Sequence, residues 1–190
     1  AQIAGVTPDE VTKEMRSRAK AVNFGIIYGQ GAFGLSRSLG ISRAEASTFI
    51  RDYKARYEGI VLFMEHCVSE AVEKGGVSTM LGRYRPIPEI RSRNRGSRAL
   101  GERLAINSVV QGSAADMIKV AMVRLHRRIH EESLDLHMLI QVHDELVFET
   151  SKAAVEEYAE VVRHEMAEAL PLSVPVRVDV AWGENWLEGK

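Results

Sequence analysis

Four side chains recur at steps of four near the start of the chain: Arg16, Lys20, Phe24 and Tyr28. On a helix a four-residue step drifts by only about 40°, so the four share one broad stripe. Arg and Lys can hold phosphates, while Phe and Tyr offer faces to a base or a sugar. Gly25 and Gly29 follow the two aromatics directly and leave room for a ligand to approach. The same spacing also describes an amphipathic helix with two core aromatics and two solvated cations.

A second polar stripe, again at steps of four, is Arg103, Asn107 and Gln111, among Leu104, Ala105, Ile106, Val109 and Val110. Unpaired buried polar groups are costly, so this stripe requires partners. Base edges, sugars and template phosphates would serve, and so would a neighbouring helix. The third constellation is His143-Asp144-Glu145, two adjacent carboxylates between apolar runs. Burying both as anions requires a compensating cation, and such oxygen ligands suit Mg²⁺ or Mn²⁺. An exposed polar hairpin tip is the alternative.

Two other patterns carry less. Gly29 to Gly34 is a literal G-x-G-x-x-G, but a dinucleotide fingerprint needs a strand before it, and the preceding segment has helix caps. His126 and His130 sit at i, i+4 with no third ligand at a sensible spacing, and Arg124, Arg127 and Arg128 oppose a bound cation. They read as a solvated face, and Cys67 as a packed thiol.

The elements that must position these groups follow from caps and periodicity. Thr7-Pro8-Asp9-Glu10 reads as a capping box, with Thr12 as a second start, for a helix running toward Tyr28. Gly29, Gly31 and Gly34 then break the pattern. Ser42-Arg43-Ala44-Glu45 opens a helix toward Tyr57, and another spans Ile60 to Lys74 before Gly75-Gly76. A small hairpin is expected over Val77–Met80 and Arg83–Arg85, ended by Pro86 and Pro88. Helices are expected over Arg98–Gln111 and Ser113–Glu132, with a bend at Gly112. Leu136–Val142 and Leu146–Phe148 form a hairpin with a polar tip. Ser151 caps a helix ended by Pro171, and Val174–Ala181 is a last strand. The fold class is α+β: helices first, then a small antiparallel sheet with helices against it.

The 190 residues suit one large domain or two small lobes. No apolar run approaches the ~18 residues of a membrane helix, and no secretory signal is visible, so the chain reads as cytoplasmic with no membrane partner. One cysteine excludes an internal disulfide. A net charge of −1 hides an asymmetry: residues 131–190 carry 14 acidic and 4 basic side chains, leaving 12 and 21 before them. Seven arginines lie between Arg83 and Arg103, a cluster that suits phosphate backbones unless it is only solvated or paired with the acidic tail.

Taken together, Arg16-x-x-x-Lys20-x-x-x-Phe24-Gly25-x-x-Tyr28-Gly29 resembles the nucleotide-binding fingers helix of family A DNA polymerases. Val142-His143-Asp144-Glu145 resembles that family's palm carboxylate motif. Arg103-x-x-x-Asn107-x-x-x-Gln111-Gly112-x-Ala114-Ala115-Asp116 resembles its template–primer helix, and Gly183-Glu184-Asn185-Trp186 its C-terminal ending. The resemblance implies a DNA-directed DNA polymerase with residues 1–105 as the fingers region and 106–190 as the C-terminal part of the palm. It implies Arg16 and Lys20 on the incoming triphosphate, Lys20 also as proton donor to pyrophosphate, Phe24 on base and sugar, and Tyr28 against the template–nucleotide pair. It places Arg103, Asn107, Gln111 and His143 on primer and template. It makes Asp144 a ligand of a two-metal Mg²⁺ or Mn²⁺ site and Glu145 a supporting carboxylate.

The family's earlier palm motif, an aspartate in a D-Y-S-x-I-E-L-R-like run, is not among the 190 residues. The chain begins with Ala and resembles the C-terminal portion of a larger polymerase. The implied partners are primer–template DNA, dNTPs and the N-terminal part of the same polymerase. A non-catalytic nucleic-acid-binding module derived from a polymerase is the second reading. A metal-dependent phosphohydrolase using His143, Asp144 and Glu145 is a distant third. Lys20, Phe24 and Tyr28 together favour the polymerase, because a plain binding module needs only a basic surface.

Overall fold

The computed structural model describes residues 6–189. A single 3-10 turn (Pro8–Glu10) comes first, and the Thr7 N–H donates to the Glu10 carboxylate at 2.9 Å. Thr12 restarts the chain as the N-cap of α1 (Lys13–Ile27), its hydroxyl accepting from the Met15 N–H at 3.2 Å. Both expected starts are present, and the second carries the long helix.

Next come α2 (Ala32–Leu39), α3 (Arg43–Arg56) and α4 (Glu58–Lys74). The Ser42–Glu45 capping box is complete at α3, and Gly75 in the left-handed region closes α4. Helix α2 runs through Gly34, where the sequence pattern suggested a break. Packing decides it: Leu35 is fully buried with Val22, Ile26 and Ala46, and this core holds α1, α2 and α3 together.

Strands β1 (Gly76–Ser78) and β2 (Tyr84–Pro86) form the expected antiparallel hairpin, with Val77 opposite Arg85. A 3-10 turn (Pro88–Arg91) leads to α5 (Arg95–Glu131). A second core gathers Ala71, Val77, Ile87, Ile90 and Ala105. Helix α5 is one uninterrupted helix. The two helices expected on either side of Gly112 are one, because a single glycine costs a helix only about 1 kcal/mol and the turns on either side continue the ladder.

Strands β3 (Leu136–Val142) and β4 (Glu145–Thr150) pair antiparallel, with Val142 opposite Glu145 and an irregularity between Met138 and Ile140. Helix α6 (Val155–Ala167) covers them through a core of Leu125, Leu136 and Val162. It begins after Ala154 rather than at Ser151, whose carbonyl instead accepts the Ala154 N–H in a turn. The strand expected over 174–181 is absent: no ladder partner pairs with it among the described residues. The architecture is α+β. It divides into two compact units, residues 1–110 and 111–190, with α5 passing from one into the other.

Candidate functional site

In the first unit, α1 buries Val22 and Ile26 and turns Arg16, Lys20 and Phe24 outward. The Phe24 and Tyr28 rings stack, with centroids 5.9 Å apart and planes 11° from parallel. The Lys20 ammonium lies 6.0 Å from the Phe24 centroid, within cation–π range. The stripe read from spacing is therefore a cation beside two parallel aromatic faces, and Phe24 is surface rather than core, 46% exposed.

Tyr28 caps the C-terminus of α1, and Gly29 reverses the chain at φ +76°. The Arg103 stem passes directly against Gly29. Phe24, Gly25, Tyr28, Gly29, Gln30, Gly31 and Arg103 line one open concavity of about 430 Å³. Arg103, far away in sequence, thus meets Phe24 and Tyr28 at one surface, with Lys20 beside it. One turn along α5, Asn107 keeps its Oδ1 buried without a hydrogen-bond partner among the described residues. Of the arginine-rich segment, Arg93, Arg95 and Arg98 are exposed and unpaired among the described residues. Arg85 and Arg91 are committed internally: Arg85 donates to Ser108 Oγ at 2.9 Å, and Arg91 to the Val72 and Glu73 carbonyls that end α4.

The remaining expected residues lie in the second unit. Gln111 is exposed on α5. His143 and Asp144 form the two-residue turn between β3 and β4, with His143 at φ +55°, an uncommon conformation for a residue other than glycine. Its carbonyl accepts from the Gln141 amide at 3.0 Å. Asp144 and Glu145 stand exposed at this tip. Their hard carboxylate oxygens are the donor type that Mg²⁺ or Mn²⁺ takes. No group of three or more His, Cys, Asp or Glu able to hold a metal ion forms among the described residues, so the pair fits part of a ligand set. The His126 and His130 rings lie 4.2 Å apart and tilted by 50°, with the His130 ring against the His126 carbonyl. Cys67 is buried, and burial pushes its thiol up.

Gln30 escaped the sequence reading. Its signal was the pair of glycines, Gly25 and Gly34, that flank it and leave space for its side chain.

The chain is similar to known proteins along nearly its whole length. Over 185 residues the chain is 48% identical to DNA polymerase I of Bacillus subtilis (strain 168) and 47% identical to that of Bacillus caldotenax. Each match covers 97% of this chain and 21% of the relative, so the chain spans about a fifth of their length. Among solved structures, the POL domain of Pol1 from M. smegmatis, in complex with DNA primer-template and dNTP, superposes with a TM-score of 0.93 at 42% identity. That match covers 98% of this chain and 33% of the other. The family described as "DNA polymerase family A" matches residues 1–188. With a shared fold, over two-fifths of positions identical and a family match along nearly its whole length, the chain belongs to DNA polymerase family A.

Proposed function

We propose that this chain supplies the incoming-nucleotide site, part of the primer–template surface and a metal-binding carboxylate pair of a DNA-directed DNA polymerase. The observation that carries this reading is the single concavity lined by Phe24, Tyr28 and Arg103, with Lys20 at the Phe24 face. A cation beside stacked rings is what a triphosphate joined to a base and sugar requires. The similar M. smegmatis domain holds DNA primer-template and dNTP.

In the proposed reaction the primer 3′ oxygen displaces pyrophosphate from the α-phosphorus of a dNTP. Arg16 and Lys20 hold the triphosphate, and Lys20 gives a proton to the departing pyrophosphate oxygen. Phe24 lies along base and sugar, and Tyr28 closes on the template–nucleotide pair. Arg103, Asn107, Gln111 and His143 contact primer and template. Asp144, with Glu145 beside it, would hold a divalent cation, Mg²⁺ or Mn²⁺. When bound, a pair of such cations stabilises charge on the attacking and leaving oxygens.

Residues 1–105 act as the fingers and 106–190 as part of the palm, and an N-terminal part of the same polymerase supplies the further metal-binding aspartate. The work is proposed to take place in the cytoplasm.

The test is primer extension by the polymerase carrying this chain. Lys20→Ala is expected to lower kcat/KM for dNTP by about a hundredfold or more, with primer–template affinity changed by less than about threefold. Unchanged incorporation would return the chain to the reading of a non-catalytic nucleic-acid-binding module.

A further inference from the structure

Gln30 joins the end of α1 to α2 through two hydrogen bonds of its own, extended by a third that its partner Ser38 makes. Its backbone N–H donates to the Gly25 carbonyl at 2.7 Å, winding the chain back onto α1. Its side-chain Nε2 donates to Ser38 Oγ at 3.1 Å, and Ser38 Oγ donates in turn to the Gly34 carbonyl at 3.1 Å. The amide fits because both neighbours lack a Cβ. A Cβ on Gly25 would stand 2.1 Å from Gln30 Oε1, and one on Gly34 would stand 2.8 Å from Gln30 Cγ.

Gly25 directly follows Phe24, and Gln30 lines the same concavity as Phe24 and Tyr28. The amide therefore bears on the last turn of α1, where the two stacked rings are mounted, and ties that turn to Ser38 near the far end of α2. The α1 stripe makes no use of this contact.

We infer that Gln30 is a positioning residue for the nucleotide site: the Gly25–Gln30–Ser38 bridge fixes the α1–α2 corner and so holds Phe24 and Tyr28 in the orientation that accepts a nucleotide. This rests on the polymerase reading and adds a residue to it. Loosening the bridge lowers the fraction of molecules in the competent orientation. Apparent affinity falls by that fraction, while saturating nucleotide draws the population back. The bridge therefore acts on KM and leaves kcat nearly constant.

The test uses Gln30→Met, which keeps the length and removes the amide, Ser38→Ala, which removes the acceptor, and the double variant. In the polymerase carrying this chain, each single variant is expected to raise the dNTP KM by about two- to tenfold, with kcat within about twofold and primer–template Kd unchanged. The double variant is expected to be no worse than Ser38→Ala, which removes the Gln30–Ser38 bond together with the Ser38–Gly34 bond. Additive effects, a fall in kcat at constant KM, or an unchanged KM would each overturn the assignment.

A second measurement needs no polymerase activity. Amide hydrogen exchange on the 190-residue chain is expected to show the Gln30 N–H protected, and less so in Gln30→Met and Ser38→Ala. If this protection responds but the parent enzyme incorporates no nucleotide, the polymerase reading fails and the bridge stands. If protection does not respond, the bridge itself fails.

Discussion

The Cγ of Arg103 lies 2.9 Å from the point where a Cβ on Gly29 would stand, and Gly29 holds φ +76°. A side chain at 29 is therefore opposed twice, by its own backbone conformation and by the arginine stem that completes the Phe24–Tyr28 concavity. Gly29→Ala is expected to destabilise the chain by about 1–3 kcal/mol. Gly31→Ala, with nothing within 4 Å of its Cβ position, is expected to be near neutral. Denaturant unfolding of both variants checks this, and equal midpoints would refute it.

The purified 190-residue chain is expected to extend a primer negligibly. Asp144 and Glu145 are proposed as only part of a ligand set, and no three-residue set forms among the described residues. Template-directed incorporation by this chain, abolished by Asp144→Ala, would contradict the expectation.

Arginines in the 83–103 segment divide into two classes. Arg93, Arg95 and Arg98 are exposed and unpaired among the described residues, so replacing all three with Ala is expected to flatten the dependence of DNA affinity on salt. The slope should fall by about 0.9 for each phosphate that is no longer neutralised. Arg91→Ala is expected to act on stability instead, by about 1 kcal/mol, because its guanidinium holds the carbonyls at the end of α4. Fluorescence anisotropy titrations across a salt series, paired with thermal melts, separate the two effects.

Glu45 supplies a pH dependence of known sign. Hydrogen bonds from the Ser42 hydroxyl and then from the Ser42 backbone N–H hold its carboxyl below the ordinary carboxylate value. Because the folded-state value is the lower one, this contribution to α3 is fully present above the ordinary value and is lost as pH falls through the lowered one. NMR titration should find Glu45 acidic in the parent chain and returned toward ordinary in Ser42→Ala.

Phe24 offers no hydroxyl beside the proposed sugar site, so a nucleotide without its 3′ hydroxyl forgoes a hydrogen bond that nothing on the protein replaces. In the polymerase carrying this chain, Phe24→Tyr is expected to relax discrimination against dideoxynucleotides by at least about tenfold. The ratio of kcat/KM for normal and dideoxy substrates in both proteins measures it. Equal ratios would mean that Phe24 does not face the sugar.

Features legible in the sequence are those set within a turn or two of chain. The caps at Thr12 and Ser42, the close at Gly75 and the common face of Arg16, Lys20 and Phe24 depend on bonds and spacings of three or four residues. Sequence therefore determined α1, α3, α4 and the two hairpins, and it displayed the motifs of the polymerase family. Tertiary structure decided what depends on neighbours distant in the chain. Period-two valines at 174, 176, 178 and 180 carry a strand signal, but a strand exists only with a ladder partner, and none pairs there among the described residues. Gly34 was compatible with a break until Leu35 found its core. Arg91 and Arg93 are two residues apart and equally basic, yet only Arg91 reaches the carbonyls of α4. Whether Phe24 was core or surface was likewise open until the buried side of α1 was fixed by Val22 and Ile26 against Leu35 and Ala46, because a helix stripe faces outward only once another element covers its opposite side.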